Sequence, residues 1–196
     1  MTARLLIVGP QGSGKGTQGV RIAEAFGIPA ISTGDMFRAA VSGGSELGER
    51  VKAIIEAGDL VPDELTSAVV RERLSEGDAA GGFLLDGYPR NLGQVGDLDA
   101  FLTDRGEQLD AVIELDVPRE ESIARLSQRA AEQGRSDDTE EIIANRLAIY
   151  ERETAPILDV YRERGAVVAI DGVGSLDEIT ERIVSALEAR GLARVG

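Results

Sequence analysis

The sequence has no cysteine and no histidine among its 196 residues, and these two absences exclude several kinds of chemistry. Without cysteine, the chain can form no disulfide, no thiolate zinc site and no cysteine nucleophile. Without histidine, it has no imidazole for acid and base catalysis. Any catalysis must therefore rely on arginine, lysine, aspartate, a metal ion or bound phosphate groups.

Lysine is nearly absent as well, because Lys15 and Lys52 are the only two and the other basic residues are arginines. Acidic residues are in excess, and the formal net charge is -14. Such a charge argues against nucleic acid and against an anionic membrane surface as partners. The N-terminal apolar run is short and ends at Gly9 and Pro10, so we expect neither a secretion signal nor a membrane span. These observations predict a cytoplasmic protein.

A glycine-rich stretch at residues 9–17 lies between a predicted strand and a predicted helix. The apolar residues 5–8 before it are typical of a buried strand, and the apolar positions within residues 18–26 indicate a helix. Glycines allow the backbone N–H groups of such a turn to surround an anion, and the positive end of the helix dipole adds to the attraction. Lys15 supplies a charge for the outer phosphates. The spacing Gly-x4-Gly-Lys therefore predicts a phosphate-binding loop of the P-loop type rather than a plain strand-to-helix turn.

Apolar segments alternate with helical patterns along the chain. Five of them are predicted strands, at residues 5–8, 28–31, 82–86, 110–116 and 166–171. This alternation predicts one α/β domain with a mostly parallel sheet. The short helices between the second and third strands exceed what a simple crossover needs, and we interpret them as a flap. Ligands bind at the carboxyl edge of such a sheet, where the loops that follow the strands would converge.

Asp86 ends the third predicted strand, at the position from which a Walker-B-type carboxylate would face the first loop. There it would hold metal-bound water, although it could instead cap the turn that follows. Arg90 and Gln94 come next and lie one helical turn apart. Either of them could also be an ordinary surface residue.

Arg125 and Arg129 share a face of a helix in the C-terminal half. The simplest alternative to a binding role pairs them with Glu121 and Glu120 on a solvated helix side, which is a common arrangement.

Three predictions concern the helices of the same region, one about packing and two about helix ends. We expect Ile123 and Leu126 to face inward from the helix that carries the two arginines. Asp138 and Glu141 are spaced as a capping pair for the following helix. Pro156 should kink that helix or restart it.

Together these stretches resemble adenylate kinases over essentially the whole chain. The motifs that carry the resemblance are residues 9–18, 32–38, 60–63 and 83–90, then Arg125, Arg129, residues 135–138 and Arg146. The resemblance implies a three-layer P-loop kinase fold, with a five-stranded sheet and helices on both faces. The core would comprise residues 1–31, 62–127 and 139–196, the AMP-binding flap residues 32–61, and the short lid residues 128–138.

The resemblance also implies an activity. It is the reversible transfer of the terminal phosphoryl group of ATP to AMP, giving two ADP, with Mg²⁺ as the cofactor. Such an enzyme serves adenine nucleotide homeostasis and purine nucleotide biosynthesis and is a monomer. The metal would be held mainly by phosphates and water, with Asp86 orienting a bound water. The short form of the lid lacks a four-cysteine insertion, so no zinc site is expected. Gln11 departs from the small residue or proline usual in the family, which would alter loop stiffness without removing a phosphate ligand.

Matching positions imply the site residues. The residues that would bind ATP are Gly12, Ser13, Gly14, Lys15, Gly16, Thr17, Arg125, Arg129 and Gly174. Those that would bind AMP are Thr33, Arg38, Asp59, Leu60, Val61, Gly87, Tyr88, Pro89, Arg90, Gln94, Arg135 and Arg146. The catalytic group would comprise Lys15, Asp86, Arg90, Arg129, Arg135 and Arg146.

Three other functions remain open from the sequence. A UMP/CMP kinase of the same fold is disfavoured by Thr33 and Gln94, because the pyrimidine relatives tend to carry alanine and asparagine there. A nucleotide-binding regulator without turnover is disfavoured because the loop lysine, the strand-end aspartate and the arginines are all present. A plain ATPase is disfavoured by a second phosphate-binding pair, Arg38 and Arg90.

Overall fold

Five parallel strands form a single sheet in the order β2, β3, β1, β4, β5. The structure, a computed structural model, describes residues 3–133 and 139–195. The strands are β1 (Ala3–Val8), β2 (Ala30–Ser32), β3 (Gly82–Asp86), β4 (Ala111–Asp116) and β5 (Val167–Asp171). Because β1 pairs with β3 on one side and β4 on the other, the loop after β1 lies where the strand order reverses. Ligands bind at such a point in open α/β sheets.

Helices connect the strands. They are α1 (Lys15–Phe26), α2 (Thr33–Ser42), α3 (Glu46–Ala57), α4 (Asp63–Leu74), α5 (Leu92–Asp104), α6 (Arg119–Gln133), α7 (Glu140–Ile149), α8 (Ala155–Glu163) and α9 (Leu176–Glu188). A short 3-10 turn (Gly77–Ala79) precedes β3, and a π-helical turn (Tyr150–Thr154) joins α7 to α8. Over residues 3–133 and 139–195, we find no helix with the length and apolar character that a membrane crossing requires.

The central strand β1 is buried on both faces, which explains its continuous apolar run. Its side chains alternate, so Leu5 and Ile7 pack with α1 and α9 on one face of the sheet. Leu6 and Val8 pack with α4, α5 and α8 on the other face. The three-layer α/β fold and its parallel sheet are therefore confirmed.

The predicted strands and helices are largely confirmed, but one packing prediction is wrong. Leu126 is 1% exposed, as expected, whereas Ile123 is 40% exposed. In α6 the inward side follows Ser122 and Leu126, which are four residues apart and lie against the loop at Gly12. A position next to Ser122 is turned by about 100° on the helix and faces outward.

The two helices around the π-helical turn begin as follows. Helix α8 restarts with Pro156 in its first turn, as predicted. The N-cap of α7 is Thr139, whose hydroxyl accepts a hydrogen bond from the backbone N–H of Ile142. Asp138, the cap that the sequence predicts, lies outside the described residues.

The interpreted flap has a small apolar core of its own. Phe37 in α2 and Val51 in α3 are buried together with Val61, which lies just before α4. Leu65 and Val69 of α4 pack against this cluster. The two flap helices are thus held to each other and seated on α4.

Candidate active site

A cleft of about 970 Å³ lies at the carboxyl edge of the sheet, beside the loop that follows β1. It brings together most of the residues that the sequence proposes for ATP and for phosphoryl transfer, together with some of those proposed for AMP. These lining residues are Gly12, Gly14, Lys15, Gly16, Thr17, Arg38, Leu60, Asp86, Gly87, Pro89, Arg90, Arg125, Arg129, Arg146 and Gly174. Cationic side chains therefore converge in this cleft of an acidic protein.

A smaller cavity of about 60 Å³ adjoins the cleft under the flap helices. Most of the residues proposed for AMP line it, namely Thr33, Arg38, Asp59, Leu60, Val61, Gly87, Arg90, Gln94 and Arg146. Arg38, Arg90 and Arg146 line both spaces. Three arginine side chains therefore lie where the two spaces adjoin.

Two of the proposed residues that the structure describes, Ser13 and Tyr88, line neither space. Ser13 is 1% exposed, and its carbonyl rather than its hydroxyl makes the contact to Arg125. Tyr88 is buried, and its hydroxyl lies 2.8 Å from the hydroxyl of Ser67. Tyr88 thus anchors the loop below the cavity. Arg135 lies outside the described residues.

The glycine-rich loop takes the shape that phosphate binding requires. Gly14 has a left-handed conformation (φ 93°) and is the N-cap of α1, so the loop leads directly into the positive end of that helix. Lys15 is the first helical residue, and its ammonium group donates a 2.9 Å hydrogen bond to the carbonyl of Pro10. The Lys15 side chain therefore lies over the glycine-rich loop.

The electrostatics of the cleft indicate an anionic ligand. Burial lowers the pKa of Lys15 to about 8; the charge of Asp86 opposes this shift, while Arg90 and Arg129 add to it. Burial also lowers the pKa of the Arg90 guanidinium. Both groups thus hold their positive charge at a cost, which bound phosphates would offset.

Asp86 lies at the end of β3, next to the glycine-rich loop. Its carboxylate oxygen is 3.8 Å from the place that a Cβ would take on Gly16. Burial raises the pKa of Asp86, while the charges of Lys15 and Arg90 oppose the shift. Within residues 3–133 and 139–195, this carboxylate makes no hydrogen bond to the turn that follows it, so the capping alternative has no support there.

The residues around Asp86 fit a magnesium ion that arrives with its phosphates. In the described part of the chain, no group of three acidic side chains could hold a metal by itself. A single carboxylate beside a phosphate loop matches the preference of Mg²⁺ for phosphate oxygens, water and one or two carboxylates.

The smaller cavity is held together by hydrogen bonds that converge on the carbonyl of Gly87. The Arg90 side chain donates to this oxygen through Nε at 2.7 Å, and the Thr33 hydroxyl donates to it at 2.9 Å. The hydroxyl of Thr154 in turn donates to the carbonyl of Arg90 at 2.7 Å. Arg38 forms a 2.6 Å ion pair with Asp35. The cationic side chains therefore have defined positions.

Arg125 connects two loops at the edge of the cleft. It pairs with Glu121 at 2.8 Å, as the surface interpretation anticipates. Its guanidinium also donates to the carbonyl of Ser13 at 3.3 Å and to that of Gly172 at 3.0 Å. Since these carbonyls belong to the loops after β1 and β5, Arg125 is part of the cleft rather than of a solvated helix side.

The flap lies against α7. The side-chain amide of Asn145 donates to the carboxylate of Asp59 at 2.9 Å and to the carbonyl of Ala57 at 3.2 Å. Gly58 has φ +78°, and a Cβ on it would lie 2.8 Å from Ile142. This position therefore favours glycine for its conformation and for the close approach of α7.

Asp63, Asn145 and Thr154 make hydrogen bonds to residues of the site, although no role was assigned to them from the sequence. Asp63 accepts hydrogen bonds from Asn91 and Gln94, which are 28 and 31 residues away. Partners so distant leave no local pattern. In the sequence, Asp63 appeared only within the motif at residues 60–63, and no function was assigned to it there.

Comparison with known proteins identifies close relatives. The family model described as adenylate kinase matches residues 7–166. A protein named adenylate kinase from Leifsonia xyli subsp. xyli is 58% identical over 188 residues, covering 96% of this chain and 94% of the relative. Proteins of the same name are 56% identical in Clavibacter michiganensis subsp. michiganensis (96% and 94% covered) and 53% identical in Thermobifida fusca (95% and 99% covered).

Proposed function

The chain belongs to the adenylate kinase family, and from this premise we propose that it transfers the terminal phosphoryl group of ATP reversibly to AMP, giving two ADP. It is a phosphotransferase of the nucleoside monophosphate kinase class. The observation that carries the specific reaction is the pair of adjoining spaces that share Arg38, Arg90 and Arg146. One space has a phosphate loop, and the other is a small cavity with an amide side chain for a base. The reaction would serve adenine nucleotide homeostasis and purine nucleotide biosynthesis.

ATP occupies the donor half in this proposal. The backbone N–H groups of residues 12–17 and the Lys15 ammonium hold its phosphates at the start of α1. Arg125 lies over its adenine ring, and Gly174 meets that ring through its backbone. Arg125 suits this position because its contacts to the Ser13 and Gly172 carbonyls hold it between the two loops.

AMP occupies the acceptor half. Arg38 and Arg90 bind its phosphate, and the Gln94 amide binds the edge of its adenine. Thr33 and the backbone of residues 59–61 line the base. Residues 87–89 form the turn beneath it, and this turn is supported by the two hydrogen bonds to the Gly87 carbonyl.

The chemistry needs no protein nucleophile or base. Negative charge spreads over the equatorial oxygens of the transferred phosphoryl group, and fixed cations stabilise it there. Lys15, Arg129 and Arg146 supply these cations, joined by Arg135 from the lid at residues 128–138. Mg²⁺ bound to the ATP phosphates would neutralise further charge, and Asp86 would orient a water ligand of the metal.

The flap and the lid would keep water out while the phosphoryl group is transferred, because hydrolysis of ATP is the competing reaction. We assign residues 32–61 to the flap, and residues 1–31, 62–127 and 139–196 to the core. The enzyme would work as a cytoplasmic monomer on free nucleotides, without nucleic acid or membrane partners.

The test measures ADP formed from ATP and Mg²⁺ with AMP, UMP, CMP or GMP as the acceptor. We expect the largest kcat/KM with AMP. Lys15→Gln should abolish turnover, whereas Lys52→Gln should not, because Lys52 lies on the exposed side of α3 beside Glu56. A larger kcat/KM for UMP or CMP would indicate a pyrimidine kinase, and hydrolysis of ATP without an acceptor would indicate an ATPase. Nucleotide binding without turnover would indicate a regulator.

A further inference from the structure

Asp63 holds the side-chain amide that faces the smaller cavity. Its Oδ1 accepts a hydrogen bond from Nε2 of Gln94 at 2.8 Å and another from Nδ2 of Asn91 at 2.9 Å. Gln94 is 1% exposed, so its amide has little access to bulk water. Asp63 itself is not among the residues that line the cavity, and it can act on a ligand only through its neighbours.

The opposite end of the Gln94 amide is also fixed. Its Oε1 accepts a hydrogen bond from the backbone N–H of Arg90 at 2.8 Å. A backbone N–H can only donate, and a carboxylate can only accept. These two neighbours therefore determine which end of the amide is oxygen and which is nitrogen. Reversing the amide would place its NH₂ group against the Arg90 N–H and its oxygen against the carboxylate.

The orientation matters because an amide is a two-sided recognition group. After these contacts, the Gln94 NH₂ group keeps one N–H and the oxygen keeps one lone pair. Adenine presents an acceptor at N1 and a donor at its 6-amino group, so it matches one amide orientation. A 6-oxopurine presents a donor at N1 and an acceptor at O6, so it matches the reverse. An amide free to rotate would satisfy either base.

We propose that Asp63 is a specificity-determining positioning residue, which holds the Gln94 amide in the orientation that accepts adenine and rejects 6-oxopurines. This inference rests on the proposed placement of AMP against Gln94. A site whose polar groups are left unpaired by the wrong base discriminates strongly against it. With the Asp63 carboxylate in place, the Gln94 amide could not reverse, so a 6-oxopurine would face donor against donor and acceptor against acceptor.

Asp63 also has a structural contact that the test must separate from this role. Asn91, its second partner, is the N-cap of α5 and accepts a hydrogen bond from the Gln94 backbone N–H at 2.9 Å. Loss of Asp63 could therefore loosen the start of α5. A purely structural loss would reduce the use of every acceptor nucleotide together, whereas loss of orientation would change their ratio.

The experiment compares AMP with IMP, since their bases differ at the 6 position and present opposite hydrogen-bond polarity at N1 and position 6. For Asp63→Ala, we expect the ratio of kcat/KM for AMP to kcat/KM for IMP to fall about tenfold, since one charge-assisted hydrogen bond no longer opposes the reversed amide. Asp63→Asn keeps one acceptor oxygen and should keep the ratio within about threefold of the unmodified protein. Glu64→Ala removes the neighbouring exposed acid of α4 and should leave the ratio unchanged.

An Asp63→Ala ratio equal to that of the unmodified protein would overturn the proposal, and so would an Asp63→Asn ratio as low as that of the alanine variant. Asp63→Ser, which suits a helix start but is too short to reach Gln94, repeats the measurement if the alanine variant unfolds. Failure of the unmodified protein to use AMP would instead refute the proposed function.

Discussion

The proton on Lys15 should make the use of ATP depend on pH in a range where few other groups titrate. Burial lowers the pKa of this lysine to about 8 in the ligand-free protein. Only the protonated ammonium can neutralise the phosphates of ATP. Since kcat/KM reports the ionisation of the free enzyme, kcat/KM for ATP should fall as pH rises through this pKa.

The size of the fall follows from the pKa. With a pKa of about 8, about nine-tenths of the Lys15 side chains are protonated at pH 7 and about one-tenth at pH 9. We therefore expect kcat/KM for ATP to fall roughly tenfold between these two values. At saturating ATP, the measured quantity is kcat. We expect kcat to fall at higher pH than kcat/KM does, because bound phosphates favour the charged lysine.

The assay is direct chromatographic measurement of ADP at saturating AMP, because coupling enzymes have pH profiles of their own. Lys15→Arg is the matched control, since a guanidinium stays charged throughout this range. Its profile should be flat from pH 7 to pH 9.5, whatever its absolute rate. A flat profile in the unmodified protein, or an equal fall in the arginine variant, would refute the reasoning.

The same proton should affect the free energy of unfolding in the opposite direction. Because the folded pKa of Lys15 lies below the unfolded value of 10.5, the folded protein binds fewer protons between about pH 8 and 10.5. Stability therefore rises with pH across this window. Lys15→Met should be more stable than the unmodified protein at pH 7, by at most about 3 kcal/mol, and the difference should disappear by about pH 10.5. Urea titrations at both pH values measure it.

Three further predictions concern other parts of the cleft. Arg90→Ala should lower kcat/KM for AMP by about 10²–10³ while the Kd for ATP changes little; an equal loss of ATP affinity would contradict the division of the cleft. Gly12→Ala should lower stability by more than about 2 kcal/mol, because φ is +81° and the added Cβ would lie 2.3 Å from the Ser122 carbonyl oxygen. In Gly16→Ala, the added Cβ would contact only the Asp86 carboxylate, at 3.8 Å, so the melting temperature should be close to that of the unmodified protein. Equal losses of stability in the two glycine variants would be inconsistent with this packing. Asn145→Ala should raise KM for AMP about threefold to tenfold, because the flap loses its hydrogen bond to α7; the exposed Arg152→Ala is the control, and a change confined to KM for ATP would argue against the contact.

The sheet was predictable because its inner strands β1, β3 and β4 are largely buried on both faces. The apolar stretch of β1 at residues 5–8 is buried on both faces, and Gly9 and Pro10 end it, so its sequence alone indicates both its burial and its end. The prediction that Ile123 faces inward was wrong for the converse reason. A helix buries one side only, and its neighbour Ser122 takes the inward position because α6 approaches the glycine-rich loop closely.

The site was less predictable than the fold because its contacts join distant parts of the chain. Arg125 could be paired with Glu121 from their spacing alone, but its contacts with Ser13 and Gly172 require the loops after β1 and β5 to converge at the carboxyl edge of the sheet. Asp63 stood out in the sequence only as part of the motif at residues 60–63. Its hydrogen bond to Gln94 joins the first turn of α4 to the first turn of α5, and the two residues are 31 positions apart, so no local pattern describes it.

Under the proposed function, closure of the flap and placement of an arginine on the transferred phosphoryl group would be one event. Asn145 binds the flap through Asp59, and the next residue, Arg146, lines both nucleotide spaces. Arg146 also donates to the carbonyl of Ile55 in the flap at 3.4 Å. Because consecutive residues of α7 make these contacts, the flap cannot leave α7 without also losing a contact to Arg146. In the proposed reaction, the cation that stabilises the transferred charge would therefore be in place when AMP is enclosed, which would limit transfer of the phosphoryl group to water.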